Sequence, residues 1–164
     1  MGQTVIVYSS QTGFTQGYAL WIARVLHCEV LDVAFVTPDD LIHTRLVIYG
    51  AHATKRGGVA GFRPFYQQYQ LALPHQLIVF GTGLLPPTQI DLQQLRQHTF
   101  RSCHTQPQLF YFDGEMNPDT MPLRIKLPYY SQKRKLKEKP PAGGVGAVRP
   151  LLDEVARLEA SGAI

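Results

Sequence analysis

Two periods of apolar residues alternate along this chain. Residues 4 to 9, TVIVYS, form an unbroken apolar and β-branched run, the pattern of a strand buried on both faces. From 16 to 26 the period changes: Ala19, Leu20, Ile22, Ala23 and Leu26 recur at helical spacing, and Thr15 is placed to cap the helix start. Strand, glycine-containing turn and helix therefore make the opening unit. A second strand is expected at about 29–34 (EVLDVA), a helix start at Thr37-Pro38-Asp39-Asp40, and a third strand at 46–50 (LVIYG).

After a glycine-rich stretch at 50–61, Phe62, Phe65, Tyr66 and Tyr69 fall at i, i+3, i+4 and i+7, which gives one helix an aromatic face suited to core packing. Residues 77–80 make a fourth strand that ends at Gly81-Thr82-Gly83, and 90–98 a short helix with Leu92 and Leu95 turned inward. A fifth strand is expected at 109–112. Leu151, Leu152, Val155 and Leu158 then mark a last amphipathic helix, with Pro150 acceptable in its first turn. Five strands alternating with helices predict an α/β fold: a doubly wound, five-stranded parallel sheet with right-handed crossovers and helices on both faces. The whole chain, 1–164, reads as one domain with an irregular basic excursion at about 114–149 before the C-terminal helix.

Composition narrows the class without changing this outline. A hydrophobic fraction of 45% with 17% charged residues belongs to a folded globular protein. Gly, Pro or charge breaks every apolar run well short of the roughly 20 residues that span a bilayer, and the N-terminus enters a strand directly, so a soluble, cytoplasmic protein is expected. Cys28 and Cys103 lie far apart without CxxC or histidine partners, so they read as two reduced thiols; no metal site is expected. The net charge of +4 owes much to one run, Lys133, Arg134, Lys135, Lys137 and Lys139, broken by Glu138. That run is either a solvated face or a binding surface. No recognition motif for nucleic acid accompanies it, so no nucleic-acid partner is expected.

In a doubly wound sheet, ligands bind beyond the carboxyl ends of the strands at the topological switch point, so the turns after strands one, three and four carry the candidate chemistry. The first reads Ser9-Ser10-Gln11-Thr12-Gly13-Phe14-Thr15, hydroxyls and one glycine feeding a helix start. A phosphate there would receive backbone N–H groups, hydroxyls from Ser10, Thr12 and Thr15, and the positive end of the helix dipole, while Gly13 permits close approach or positive φ. A capped strand-to-helix turn is the plainer alternative. Neither GxxxxGK[ST] nor GxGxxG occurs, which argues against an NTPase and against the common dinucleotide fold.

This loop resembles the [ST]-x-T-G-x-T signature of the flavodoxin family, and the element order fits that family's fold across nearly the whole chain, most strongly in the first 60 residues. The resemblance implies a flavin mononucleotide (FMN) cofactor, with Ser10, Gln11, Thr12, Gly13, Phe14 and Thr15 at its phosphate. It likewise implies that loops at 51–58 and 81–85 flank the isoalloxazine ring, through Ala51, His52, Ala53 and Thr54 on one side and Gly81, Thr82, Gly83 and Leu84 on the other. Electron-carrier flavodoxins usually supply large aromatics and acids there. These loops instead contain neither, and offer His52, Lys55 and Arg56. A cation about 8 Å from a reduced ring, at an effective dielectric near 20, would favour reduction by roughly 2 kcal/mol before screening.

Residues 109–137 are similar to the segment after the fifth strand in flavodoxin-domain proteins related to the menaquinone-dependent protoporphyrinogen oxidase. That resemblance implies an FMN oxidoreductase acting on a quinone or tetrapyrrole-type substrate, together with a redox partner protein or small-molecule substrate. Weak peripheral membrane contact through Lys133, Arg134, Lys135 and Lys137 would follow at about 1 kcal/mol per residue near an anionic surface. Two other readings stay open: a single-electron carrier, and a flavodoxin-fold binding or regulatory module without flavin. The sequence singles out no catalytic acid or base.

Overall fold

The computed structural model describes residues 4–10, 13–54, 56–101, 103–113 and 144–164. Strand β1 (Thr4–Tyr8) leads to helix α1 (Phe14–Leu26), then β2 (Glu29–Asp32), a short 3-10 turn and α2 (Pro38–Leu41). Next come β3 (Leu46–Thr54), β4 (Gly58–Val59), α3 (Phe62–Tyr69), β5 (Gln76–Gly83), α4 (Leu92–Thr99), β6 (Gln108–Asp113) and α5 (Gly144–Ala160). Five strands pair in parallel in the order β2-β1-β3-β5-β6, and β4 folds back antiparallel on the end of β3. The order reverses between β1 and β3, the switch point of a doubly wound sheet; flavodoxin itself is the standard example of this strand order.

Each sheet face has its own core, because successive side chains of a strand point to opposite sides. Ile6, Tyr8, Ile48, Ile78, Phe80 and Phe112 pack against α1 and α5. Val5, Val7, Val47, Tyr49 and Val79 pack against Phe62, Phe65 and Tyr69 of α3 and Leu95 of α4, so the aromatic stripe is core as expected. Within it Tyr49 donates to the carbonyl of Ala60 at 2.7 Å, and burial pushes its phenol far above the usual range. Both cysteines are free thiols, and burial raises that of Cys28 to about 11.

Several expected boundaries move, each for a local reason. Thr15 lies inside α1 rather than capping it, because a left-handed Gly13 (φ 81°) starts the helix. β3 and β5 run on through the glycine- and alanine-rich residues read as loops, since pairing continues at Ala51 with Gly81 and His52 with Thr82. The second strand stops at Asp32, whose carboxylate accepts from the Ala34 amide at 2.9 Å and turns the chain. Leu92 is 45% exposed, because α4 starts there and turns Leu95 alone of the two into the core. Pro150 lies within α5, whose start at Gly144 falls in the stretch expected to be irregular. The rest of that excursion, including Lys133, Arg134, Lys135 and Lys137, lies outside the described residues. Among those described, no helix is long and apolar enough to cross a membrane.

Candidate functional site

The turn between β1 and α1 opens beyond the carboxyl edge of the sheet. Ser9 continues from β1 and donates its amide to the Gly50 carbonyl at 2.9 Å, which fixes the turn to β3. The Gly13 amide donates to Ser10 Oγ at 3.0 Å, and Gly13 then swings into the left-handed region. Among the described residues no side chain caps α1, and no acid occupies its first turn. The amides of Phe14, Thr15 and Gln16 lie in that first turn, where intrahelical acceptors do not exist, and carry the positive end of the dipole. Among the described residues, a Cβ built on Gly13 meets nothing nearer than Gln16 Oε1 at 4.0 Å. The arrangement suits an anion.

Not every residue of the sequence motif plays its expected part. Gln11 and Thr12 lie outside the described residues. Phe14 buries its ring edge-on against Tyr18, with centroids 5.6 Å apart, so it offers the site an amide and not a side chain. The buried Thr15 hydroxyl pairs with Thr82 Oγ1 at 2.8 Å, and Gln16 Nε2 donates to Tyr8 Oη at 3.0 Å. These two ties bind the first turn of α1 to the ends of β5 and β1. A hydroxyl has one donor and two acceptor positions, so the pair retains capacity for a third partner.

Ala51, His52, Ala53 and Thr54 are the end of β3, and Gly81, Thr82 and Gly83 the end of β5. Ala51 is buried in the core on the α3 side and is closed to a ligand. His52 is exposed and stands in register with Thr82, whose hydroxyl faces α1, so strand alternation puts His52 on the same side as the phosphate turn. Thr54 spends its hydroxyl on the β3–β4 hairpin, donating to the Gly58 carbonyl at 2.8 Å and accepting from the Gly57 amide at 2.9 Å. Arg56 is exposed in that turn; Lys55 lies outside the described residues. The hairpin in turn rests on α4, where the Val59 amide donates to Thr99 Oγ1 at 3.0 Å. Leu84 follows β5 and is 62% exposed.

Sequence reasoning finds no large aromatic at this edge, because it inspects only the two loops. Tyr111 of β6 supplies one: a Cβ on Gly83 would collide with its hydroxyl, which donates to the Leu85 carbonyl at 2.8 Å. Burial first, and Asp113 second, push that phenol upward. The available signal was Gly81, a small residue that stands directly opposite Tyr111 on the next strand. Tyr8 and Gln16 were missed as well, since a polar pair buried between a strand and a helix has no local signature. Among the described residues no cluster of three His, Cys, Asp or Glu side chains could hold a metal ion.

Comparison with known proteins bears on the family and the fold. A flavodoxin-domain family model matches residues 5–124. No curated protein sequence matches the chain. Of solved structures, two-electron reduced Megasphaera elsdenii flavodoxin aligns with a TM-score of 0.50 and 17% identity, covering 83% of this chain and 99% of that one. A flavodoxin from the domain Archaea aligns at 0.49 and 16%, covering 82% and 98%. At such identities the likeness concerns the fold alone, but the family match spans most of the chain: it belongs to the flavodoxin-domain family.

Proposed function

We propose that this protein binds FMN across the carboxyl edge of the sheet, phosphate on the β1–α1 turn and ring towards the ends of β3 and β5, and works as a redox protein. The observation that carries the reading is the start of α1, where a left-handed Gly13 turns the chain beside Ser10 and no side chain among the described residues caps the helix. The switch-point position of this turn and the family match support it. Bound flavin would supply the electron or hydride chemistry, as such cofactors do. The chain's part is to hold the phosphate through backbone donors, to keep Thr15 and Thr82 fixed behind it, and to present His52 from the α1 side of β3.

The finer reading is an oxidoreductase that passes electrons to or from a quinone or tetrapyrrole-type molecule, in a cytoplasmic setting, with a redox partner protein. Arg56 at the hairpin supports it, since an exposed cation near the ring edge favours the reduced, more negative flavin.

Titration with FMN and riboflavin tests the cofactor. Ser10→Asp keeps an acceptor for the Gly13 amide but adds a negative charge. A carboxylate about 6 Å from a phosphate dianion, at an effective dielectric near 40, is opposed by roughly 3 kcal/mol. FMN affinity is expected to fall about a hundredfold while riboflavin affinity holds; equal losses would place the phosphate elsewhere. Steady-state turnover with a soluble quinone or protoporphyrinogen separates enzyme from single-electron carrier.

A further inference from the structure

At the amino edge of the sheet, the edge opposite the β1–α1 turn, a cavity of about 110 Å³ lies between the first residues of β5 and β6 and the face of α5 that carries Glu154, Arg157 and Leu158. Among its lining residues Leu77, Ile78, Pro107 and Leu158 are buried and apolar. His75, Gln76, Thr105, Gln106 and Gln108 add imidazole, carboxamide and hydroxyl groups. One water needs roughly 10–15 Å³ of such space, so a molecule of a handful of non-hydrogen atoms fits. A flavin or a nucleotide, which takes a site of roughly 300 Å³ or more, does not. We propose that this cavity binds a small zwitterion, an ammonium and a carboxylate joined through one carbon, the chemistry of a short α-amino acid.

The ion pair in the cavity wall decides the class. Arg157 donates to Glu154 through Nε at 2.9 Å and through Nη2 at 2.6 Å. That fork occupies one lone pair on each carboxylate oxygen and two of the five guanidinium N–H groups. Each partner therefore keeps unused capacity: Glu154 can accept again at both oxygens, and Arg157 can donate from its remaining N–H groups. Glu154 is the inner member, its side chain 15% exposed against 62% for Arg157. The hydrogen bonds from Arg157 hold the Glu154 carboxyl below the usual carboxylate range, so the pair stays charged at neutral pH. A lone anion in this small space would meet the like charge of Glu154, and a lone cation that of Arg157. A zwitterion sets its ammonium on Glu154 and its carboxylate on Arg157, and makes neither opposed contact. The carboxamides of Gln76, Gln106 and Gln108 and the Thr105 hydroxyl offer donors and acceptors to either end. The lining shares no residue with the β1–α1 turn or with the strand ends proposed for the ring, so the site does not rest on the flavin reading.

The test is an NMR titration of the full chain with glycine, serine, acetate and methylammonium, read at the side-chain NH2 signals of Gln76, Gln106 and Gln108. Glycine and serine are expected to saturate those shifts, with acetate and methylammonium at least about tenfold weaker. In Arg157→Gln glycine should weaken at least about tenfold. Arg157 is exposed, and an exposed ion pair contributes little to stability, so this variant should keep a normal unfolding transition. Glu154→Gln is the sharper variant. It removes the ammonium's partner and releases the whole guanidinium to an anion, so glycine should weaken while acetate tightens, a reversal that loss of folding cannot mimic. Acetate or methylammonium binding the natural chain as tightly as glycine would overturn the proposal. So would glycine affinity unmoved in either variant, or no saturation by glycine and serine.

Discussion

The turn from β1 into α1 and the turn from β5 into α4 leave the same edge of the same sheet, yet they finish their helices in opposite ways. At α4 the Asp91 carboxylate accepts the Gln94 amide, so a donor is satisfied and a negative charge is set at the helix start. At α1 a left-handed glycine does the turning and, among the described residues, no side chain caps the helix. A side-chain cap contributes about 1 kcal/mol. One helix takes that stability; the other forgoes it, as the proposed phosphate site requires.

If the β1–α1 side depends on backbone space and the β5–α4 side on a side chain, substitutions should divide accordingly. The largest effect belongs to Gly50→Ala. A Cβ there would penetrate the ring of Phe80, and Gly50 also accepts the Ser9 amide that fixes the turn. Overpacking of that kind costs about 3 kcal/mol, readable as a lower urea midpoint with an unchanged slope. Gly13→Val comes next at about 2 kcal/mol, because a β-branched residue is strained at φ 81°. The same variant should lose FMN uptake in a fluorescence titration.

Thr82→Val leaves the Thr15 hydroxyl buried without its partner and should cost about 1.5 kcal/mol; in the double Thr15→Val, Thr82→Val chain much of that loss returns, because both polar partners are gone. A double-mutant cycle by chemical denaturation measures the difference. Asp91→Ala is the smallest, about 1 kcal/mol from the lost α4 cap, with FMN affinity unaltered and Asp91→Ser restoring the stability. A strong effect of Asp91→Ala on FMN would erase the contrast between the two turns.

The fold was largely legible because its buried strands are written in Val, Ile, Leu and Tyr and its helices in a 3.6-residue period. What escaped was set by neighbours rather than by local residues. Gly81 and Gly83 have weak strand preference, yet they continue β5 because β6 pairs with both and β3 with Gly81. The β3–β4 hairpin is similar: it is closed by Thr54 and Gly57 and held by Thr99 from a distant helix, a contact that no window of sequence contains. At the site, the glycine and the hydroxyls of the first turn were readable, but their division of labour was not. Thr15 looked like a ligand contact and proves also to be a brace to Thr82, because residues 67 positions apart meet only once the sheet has formed.

Tyr18 adds a consequence of its own. Its hydroxyl donates to the carbonyl of Asp113 at 2.6 Å, and its ring stacks on Phe112 with centroids 5.0 Å apart. The helix proposed to hold the phosphate is thereby bolted to the outermost strand on the far side of the sheet. Opening of α1 and fraying of β6 become one cooperative event, so a ligand that grips the helix start should slow hydrogen exchange at the carboxyl end of β6, a strand it does not touch.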